Sequence, residues 1–356
     1  MKIAILGDTH FGMRGDSLHF HKHYALFYTK VFFPYLKQNN IDTVIQLGDL
    51  FDRRKFINFN SLHLARKYFF DKLKNDNIQF YTLLGNHDIA YKNTLEVNSS
   101  GLLLNDYTNI HLIDKFCTKE FDNVPIDFVP WICDENEVEI LQQLNDTKSQ
   151  ICLGHFEIDG FEMDRGNVHQ GGLDRNKLNK YDVVLSGHFH HKSTADNITY
   201  VGTPGEMTWA DFDDERGFHI FDTEDRSLTF IKNPYTMFRK VFYNDETQDF
   251  DFWKDFDYND YKETYLKVVV INKTNPYLFD NVLDNLYKTG IYDISIVEDF
   301  NDVTSEVDDD IVDQAEDTMT ILSKYIDNLP LNVEPDKLKT LMRELYVEAL
   351  NTETTE

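Results

Sequence analysis

The chain has 356 residues, 41% hydrophobic and 14% aromatic, enough for a sizeable core and too apolar for broad disorder. Its net charge of −27 argues against a free-standing DNA-binding domain, which grips phosphate with Lys and Arg; a metal enzyme acting on nucleic acid stays open, because bound divalent ions invert a site's potential. Cys117, Cys133 and Cys152 are too few and too irregular for a disulfide framework and read as small buried hydrophobes of a reducing cytoplasm, no apolar run approaches the roughly 20 residues of a membrane span, and Met1 leads into a strand rather than a signal-peptide pattern.

From Met1 to about Gly205 the pattern alternates strand and helix. Five short apolar runs, bounded by Gly, read as buried strands. Ile3-Ala4-Ile5-Leu6 precedes Gly7-Asp8-Thr9-His10, and Val44-Ile45-Gln46-Leu47 precedes Gly48-Asp49-Leu50-Phe51-Asp52. Phe80 to Leu84 precedes Gly85-Asn86-His87-Asp88, Ile151-Cys152-Leu153 precedes Gly154-His155, and Val183-Val184-Leu185 precedes Gly187-His188-Phe189-His190. Sites in open α/β sheets form beyond the carboxyl ends of strands. The five strands should therefore deliver Asp8, His10, Asp49, Asn86, His155, His188 and His190 to one rim.

Between them, apolar spacing predicts helices up to about Gln38, from Ser61 to Lys74 and from Glu135 to Leu144. His19, His21 and His23 read as a solvated, weakly basic edge. Arg53-Arg54-Lys55 directly follows the second motif and is a candidate phosphate contact. Ile198 to Gly205 and Gly217 to Asp222 read as antiparallel strands closing the sheet, with Ser227 to Ile231 as a further strand.

A second unit starts near Tyr235. It reads as strands at Phe238–Phe242, Tyr265–Ile271 and Ile291–Val297, an acidic aromatic loop from Asp245 to Tyr261, and a helix from Pro276 to Lys288 with Pro in its first turn. This is a small α/β cap packed over the first domain. Residues 299–310 form an acidic linker. Two amphipathic helices follow within 311–350, one with Ile311, Ala315, Met319, Leu322 and Ile326 on a face, the other with Leu338, Leu341, Met342, Leu345 and Ala349. Such stripes beyond a linker suit docking to another protein.

Imidazole and carboxylate ligands on Gly-led turns suit a pair of Mn²⁺-like or Fe-like ions. Two metals about 3.5–4 Å apart can clamp a phosphodiester for in-line attack by water. The seven candidates suffice for one bridging carboxylate and several terminal ligands.

The ordered set of motifs resembles the calcineurin-like metallophosphoesterase superfamily. Within it the chain is similar to SbcD-type double-strand-break-repair nucleases and to the recombination endonuclease subunits of T-even-type bacteriophages. Phe51-Asp52-Arg53-Arg54-Lys55, Val129-Pro130-Trp131, Gly154-His155-Phe156-Glu157, Gly202-Thr203-Pro204, Arg216-Gly217-Phe218 and Leu345 to Ala349 carry this closer likeness. The resemblance implies an α/β (α+β sandwich) fold: a metallophosphoesterase nuclease domain over 1–234, a DNA-capping domain over 235–298 and C-terminal helices. It implies two divalent ions, most readily Mn²⁺, one on Asp8, His10 and His190, the other on Asn86, His155 and His188, with Asp49 bridging. His87 would act on the developing charge or the leaving oxygen, and Asp52 would orient it. Many cellular relatives have His where this chain has Asp52.

The implied activity is a Mn²⁺-dependent DNA endo/exonuclease serving recombination and repair. The implied partners are double- and single-stranded DNA, a second copy of the chain, and an SbcC-type coiled-coil ATPase bound through the C-terminal helices, giving a heterotetramer in the cytoplasm (the host's, for a phage protein). The motifs alone also fit a small-molecule or protein phosphoesterase on the same fold, and a non-catalytic scaffold for the ATPase.

Overall fold

The structure is a computed structural model. It describes residues 1–164, 167–298 and Leu338. The linker over 299–310 and the helices within 311–350 lie outside the described residues apart from Leu338.

The five motif-bearing strands belong to two sheets, as the expected α+β sandwich requires. The first sheet has the order Leu228–Lys232, Gly217–Asp222, Lys2–Leu6, Thr43–Gln46, Gln79–Leu83, Ile110–Ile113. Its last four strands are parallel, and Gly217–Asp222 runs antiparallel to Lys2–Leu6. The second has the order Ser193–Ala195, Ile198–Tyr200, Val183–Gly187, Ile151–His155, Val124–Val129, Cys117–Phe121. Ile198–Tyr200 pairs parallel with Val183–Gly187, contrary to the antiparallel expectation. Its neighbour Ser193–Ala195 turns back on it instead.

Side-chain alternation explains the layering. In Lys2–Leu6, Ile3 and Ile5 face one way and Ala4 and Leu6 the other. Ile3, Ile5, Ile45 and Leu83 meet Phe128, Ile151, Leu153 and Leu185 between the sheets. Ala4, Leu6, Val44 and Phe80 pack outward against Phe27, Phe32, Phe69 and Phe70. These aromatics come from two helical stretches, Leu18 to Gln38 and Phe59 to Asn75, each with a π-helical turn at its centre. Helix Glu137–Asp146 covers the outer face of the second sheet through Ile140 and Leu144. The result is a helix–sheet–sheet–helix sandwich whose central strands, apolar on both faces, read as continuous hydrophobic runs. Each fully buried Phe or Leu contributes about 1.5–3 kcal/mol.

Phe238–Asn244, Tyr265–Asn272 and Asp293–Val297 form a separate parallel sheet. Helix Pro276–Lys288 packs on it through Leu278, Phe279, Val282 and Leu286, with Asn275 capping the amide of Leu278. The stretch expected as a loop from Asp245 to Tyr261 contains helix Phe250–Lys254, held because it buries Trp253 in that core. Buried Glu206 accepts hydrogen bonds from the Met237 and Phe238 amides and fixes where this sheet begins.

The histidine stretch also departs from expectation. His23 is buried, His19 stacks on Tyr292 at 3.7 Å, and His21 bonds Ser61 at 2.7 Å. The helix turns this edge inward, because Phe20 between them packs on Phe238 and Tyr265. Cys133 and Cys152 are buried and Cys117 half-buried, all as free thiols.

Candidate metal centre

All seven ligand candidates lie at the carboxyl ends of parallel strands, drawn from both sheets. Asp8 and His10 follow Lys2–Leu6, Asp49 follows Thr43–Gln46, and Asn86 follows Gln79–Leu83. From the second sheet, His155 ends Ile151–His155, and His188 and His190 follow Val183–Gly187. Asp8, His10, Asp49, Asn86 and His155 are buried; His188 and His190 are half-buried.

The ligand atoms fall into two groups. In one, the Nε2 atoms of His10 and His190 are 3.2 Å apart, and Asp8 Oδ2 lies 3.7 Å from His190 Nε2. In the other, Asn86 Oδ1 lies 3.1 Å from His155 Nε2 and 3.0 Å from His188 Nδ1. Asp49 Oδ2 stands between them, 3.8 Å from His10 Nε2 and 3.4 Å from His155 Nε2. Neighbouring ligands around one ion at 2.0–2.1 Å are about 3 Å apart, so these separations suit shared cations.

The chemistry of the donors makes the same point. His155 Nδ1 is 2.6 Å from the Leu47 carbonyl, which can only accept, so Nδ1 carries the proton. A neutral His155 then aims its Nε2 lone pair at the oxygens of Asn86 and Asp49. A cation or a second proton must intervene. Without a metal the proton does: burial opposes charge on His155, but Asp49, Asp8 and the Leu47 carbonyl outweigh it and lift its pKa to about 9. Burial likewise opposes charge on His10, and Asp52, Asp49 and Asp8 together raise it to about 9. Burial pushes the Asp8 carboxyl up, partly offset by His155. Burial and the His155 charge hold His188 down at about 3.

Backbone strain fixes the geometry. Asp49, His10 and His188 have φ of 55°, 41° and 89°, conformations that cost roughly 1–3 kcal/mol each. They are pinned locally: the Thr9 and His10 amides bond the Asp49 carbonyl at 3.1 Å, and the His188 amide bonds both Asp8 oxygens at 3.1 Å. A Cβ on Gly48 would lie 2.3 Å from His155 Nδ1, and one on Gly85 2.2 Å from Asp49 Oδ1.

His87 sits beside the first group, its ring 4.8 Å from that of His10. Its amide donates to Asp49 Oδ1 at 2.7 Å, and its Nδ1–H to the Asp52 main-chain carbonyl at 2.5 Å. The Asp52 carboxylate, which the resemblance assigns to His87, lies 3.3 Å from His10 Nδ1 and within 4.8 Å of a His87 ring nitrogen. The main chain of this turn bonds His87 directly, while the side chain lies nearer to His10 and acts on His87 through its charge. Burial lowers the pKa of His87, with Asp49 opposing.

The basic triplet divides. Arg53 pairs with Asp16 at 3.3 Å and lies over Phe56, Arg54 is half-buried, and Lys55 is exposed.

Three other residues build the site without being read from the sequence as part of it. Asp88 is fully buried and accepts from the amides of Leu50 (3.0 Å), Phe51 (3.2 Å) and Gly85 (2.9 Å), tying the Asp49 turn to the Asn86 turn. The Trp131 ring stands 5.1 Å from that of His188 and 5.8 Å from that of His155. Arg216 donates to the His190 carbonyl and to Thr203 while paired with Asp211 and Asp214. Only adjacency to the motifs could have flagged Asp88.

The fold and this convergence of Asp, Asn and His define a metallophosphoesterase, and the chain belongs to the calcineurin-like phosphoesterase family, whose profile matches residues 1–192. It is 35% identical over 352 residues to exonuclease subunit 1 of Enterobacteria phage T4, spanning 98% of this chain and 99% of that protein. It is 23% identical over 259 residues to a subunit of the nuclease SbcCD of Staphylococcus saprophyticus, spanning 64% of this chain and 67% of that one. The protein is thus a metal-dependent phosphodiester hydrolase of the nuclease type.

Proposed function

We propose that this chain is the Mn²⁺-dependent DNA endo/exonuclease subunit of an SbcCD-like recombination and double-strand-break-repair complex. The observation that carries the reading is the pair of ligand groups joined through Asp49, in which lone pairs face one another across cation-sized gaps. In this reading Asp8, His10 and His190 hold one ion, Asn86, His155 and His188 the other, and Asp49 contacts both. When bound, the pair supplies charge neutralisation at the phosphate and an activated water.

The chain's own groups do the rest. The Leu47 carbonyl fixes the tautomer of His155 and the Asp52 carbonyl that of His87. This leaves Nε2 of His87 as the atom facing the site, a lone pair that accepts a proton and, as imidazolium, can pass it to the leaving oxygen or stabilise the developing charge. Asp52 steadies His10, and Trp131 walls the His155–His188 side.

The sheet spanning Phe238–Val297 is the DNA-capping domain, and residues 311–350 dock the ATPase. Exposed Phe59 and Leu102, on helices linked by the bond from Arg66 to the Leu103 carbonyl, support a homodimer face. The relationship to one subunit of the SbcCD nuclease supports the ATPase partner.

The test is release of nucleotides from end-labelled linear duplex DNA in Mn²⁺, without partner, by wild type and His87→Ala. Wild type should cut and the variant should not, with metal content equal in both. A metal-loaded wild type that cleaves neither DNA nor bis-p-nitrophenyl phosphate would overturn the reading. Deleting residues 311–350 should abolish ATPase association and spare the small substrate.

A further inference from the structure

Arg53-Arg54-Lys55 is the only run of three basic residues in a chain with 35 basic and 62 acidic side chains. Acidic partners are therefore plentiful, and Arg53 has taken one in Asp16. Arg54 has not. It makes no hydrogen bond or ion pair among the described residues, although it is half-buried and its Nη1 is sealed from solvent. It lies two residues beyond Asp52, whose carbonyl and carboxylate hold His87 and His10. The Asp49 carboxylate acts on it electrostatically without pairing with it.

A buried donor left without a partner costs about 1–3 kcal/mol, more when charged, and a guanidinium cannot shed its proton to escape. Such a group persists where the working protein supplies its acceptor. The acceptor must be anionic, arrive at the rim of the metal centre, and be absent between turnovers.

We propose that Arg54 is the substrate-phosphate contact of this site, its fork donating to non-bridging oxygens of the phosphodiester presented to the ligand groups around Asp49. This assignment rests on the hydrolase reading above and singles out one residue of the triplet. Arg53 is the scaffold of the loop, spent on Asp16 and Phe56, and Lys55 is solvated. Guanidinium and phosphate match in a bidentate, charge-assisted geometry that an ammonium cannot reproduce.

The test compares wild type, Arg54→Lys and Arg54→Gln as full-length, Mn²⁺-loaded proteins. Steady-state hydrolysis of bis-p-nitrophenyl phosphate gives KM and kcat, and calorimetric titration with inorganic phosphate gives an affinity that needs no turnover. Arg54→Gln should raise KM and weaken phosphate at least ten-fold, with Mn²⁺ content unchanged and Tm equal to or above that of wild type. Arg54→Lys should recover only part of the loss. Unchanged KM and phosphate affinity in Arg54→Gln would overturn the assignment, as would loss of bound Mn²⁺, which would make Arg54 a support of the metal ligands. Should wild type hydrolyse nothing, the hydrolase reading fails by itself, and the phosphate titration still decides for or against Arg54.

Discussion

Asp88 is the residue whose removal most sharply tests the construction of this centre. It contacts no ligand group directly; it holds the turns that carry Asp49 and Asn86. Asp88→Ala strands the amides of Leu50, Phe51 and Gly85, three buried residues. At about 1–3 kcal/mol per stranded donor the gross cost is roughly 3–9 kcal/mol. Burial, reinforced by the Asp49 charge, raises the Asp88 carboxyl above its usual range, so the native carboxylate carries a penalty that the substitution relieves. The net loss should fall near the low end, about 3 kcal/mol. Asp88→Asn keeps the shape and relieves the charge, but its amide group opposes one backbone N–H, so the net change should stay within about 1 kcal/mol. Thermal unfolding in EDTA should place Asp88→Ala roughly 6–12 °C below wild type and Asp88→Asn close to it. Manganese titration should show Asp88→Ala at least ten-fold weaker, because both turns loosen. An alanine variant with wild-type Tm and metal affinity would refute the claim that these bonds hold the ligands in place.

Other substitutions should separate ligand, packing and hinge roles. Asp49→Ala should lose both ions by metal analysis, whereas Asp8→Ala should lose one, and both should be inactive. Gly85→Ala places a Cβ 2.2 Å from Asp49 Oδ1 and 2.3 Å from the Asp49 amide nitrogen; stability should fall by about 1–3 kcal/mol, with weaker metal binding in the same titration. Glu206 has its pKa raised to about 7, chiefly by burial. A raised carboxyl pKa means the native state holds more protons than the unfolded one between pH 4.5 and 7, so this group's contribution falls as pH rises through that window, by up to roughly 3 kcal/mol. Glu206→Gln should remove this slope from urea-derived stability curves relative to wild type; parallel curves would contradict it.

The repeated pairing of an apolar run with a Gly-led turn makes the ligand candidates legible from the sequence alone. Gly tolerates the positive φ of Gly48 and the close approach of His155 to it, and both demands leave a mark on composition. Core strands are legible for a similar reason: Ile, Val and Leu on both faces leave few alternatives to burial between layers. Helix Phe250–Lys254 is not, because its sequence is acidic and aromatic and only Trp253 anchors it. The inward turn of His19, His21 and His23 is hidden in the same way, since their partners Tyr292 and Ser61 lie far along the chain.

Local chemistry therefore determined which residues could ligate, and chain order determined that each would sit at a strand end. Tertiary structure decided the rest. It divided the five strands between the two sheets of the sandwich, so that the rim carrying the ligand candidates is shared by both. It turned the Asp52 carboxylate to His10 and its carbonyl to His87, made Asp88 the tie between two turns, and left Arg54 without a partner among the described residues. Those outcomes depend on distances between residues remote in sequence, and such distances are fixed only when the burial of Ile3, Ile5, Leu153 and Leu185 locks the two sheets together.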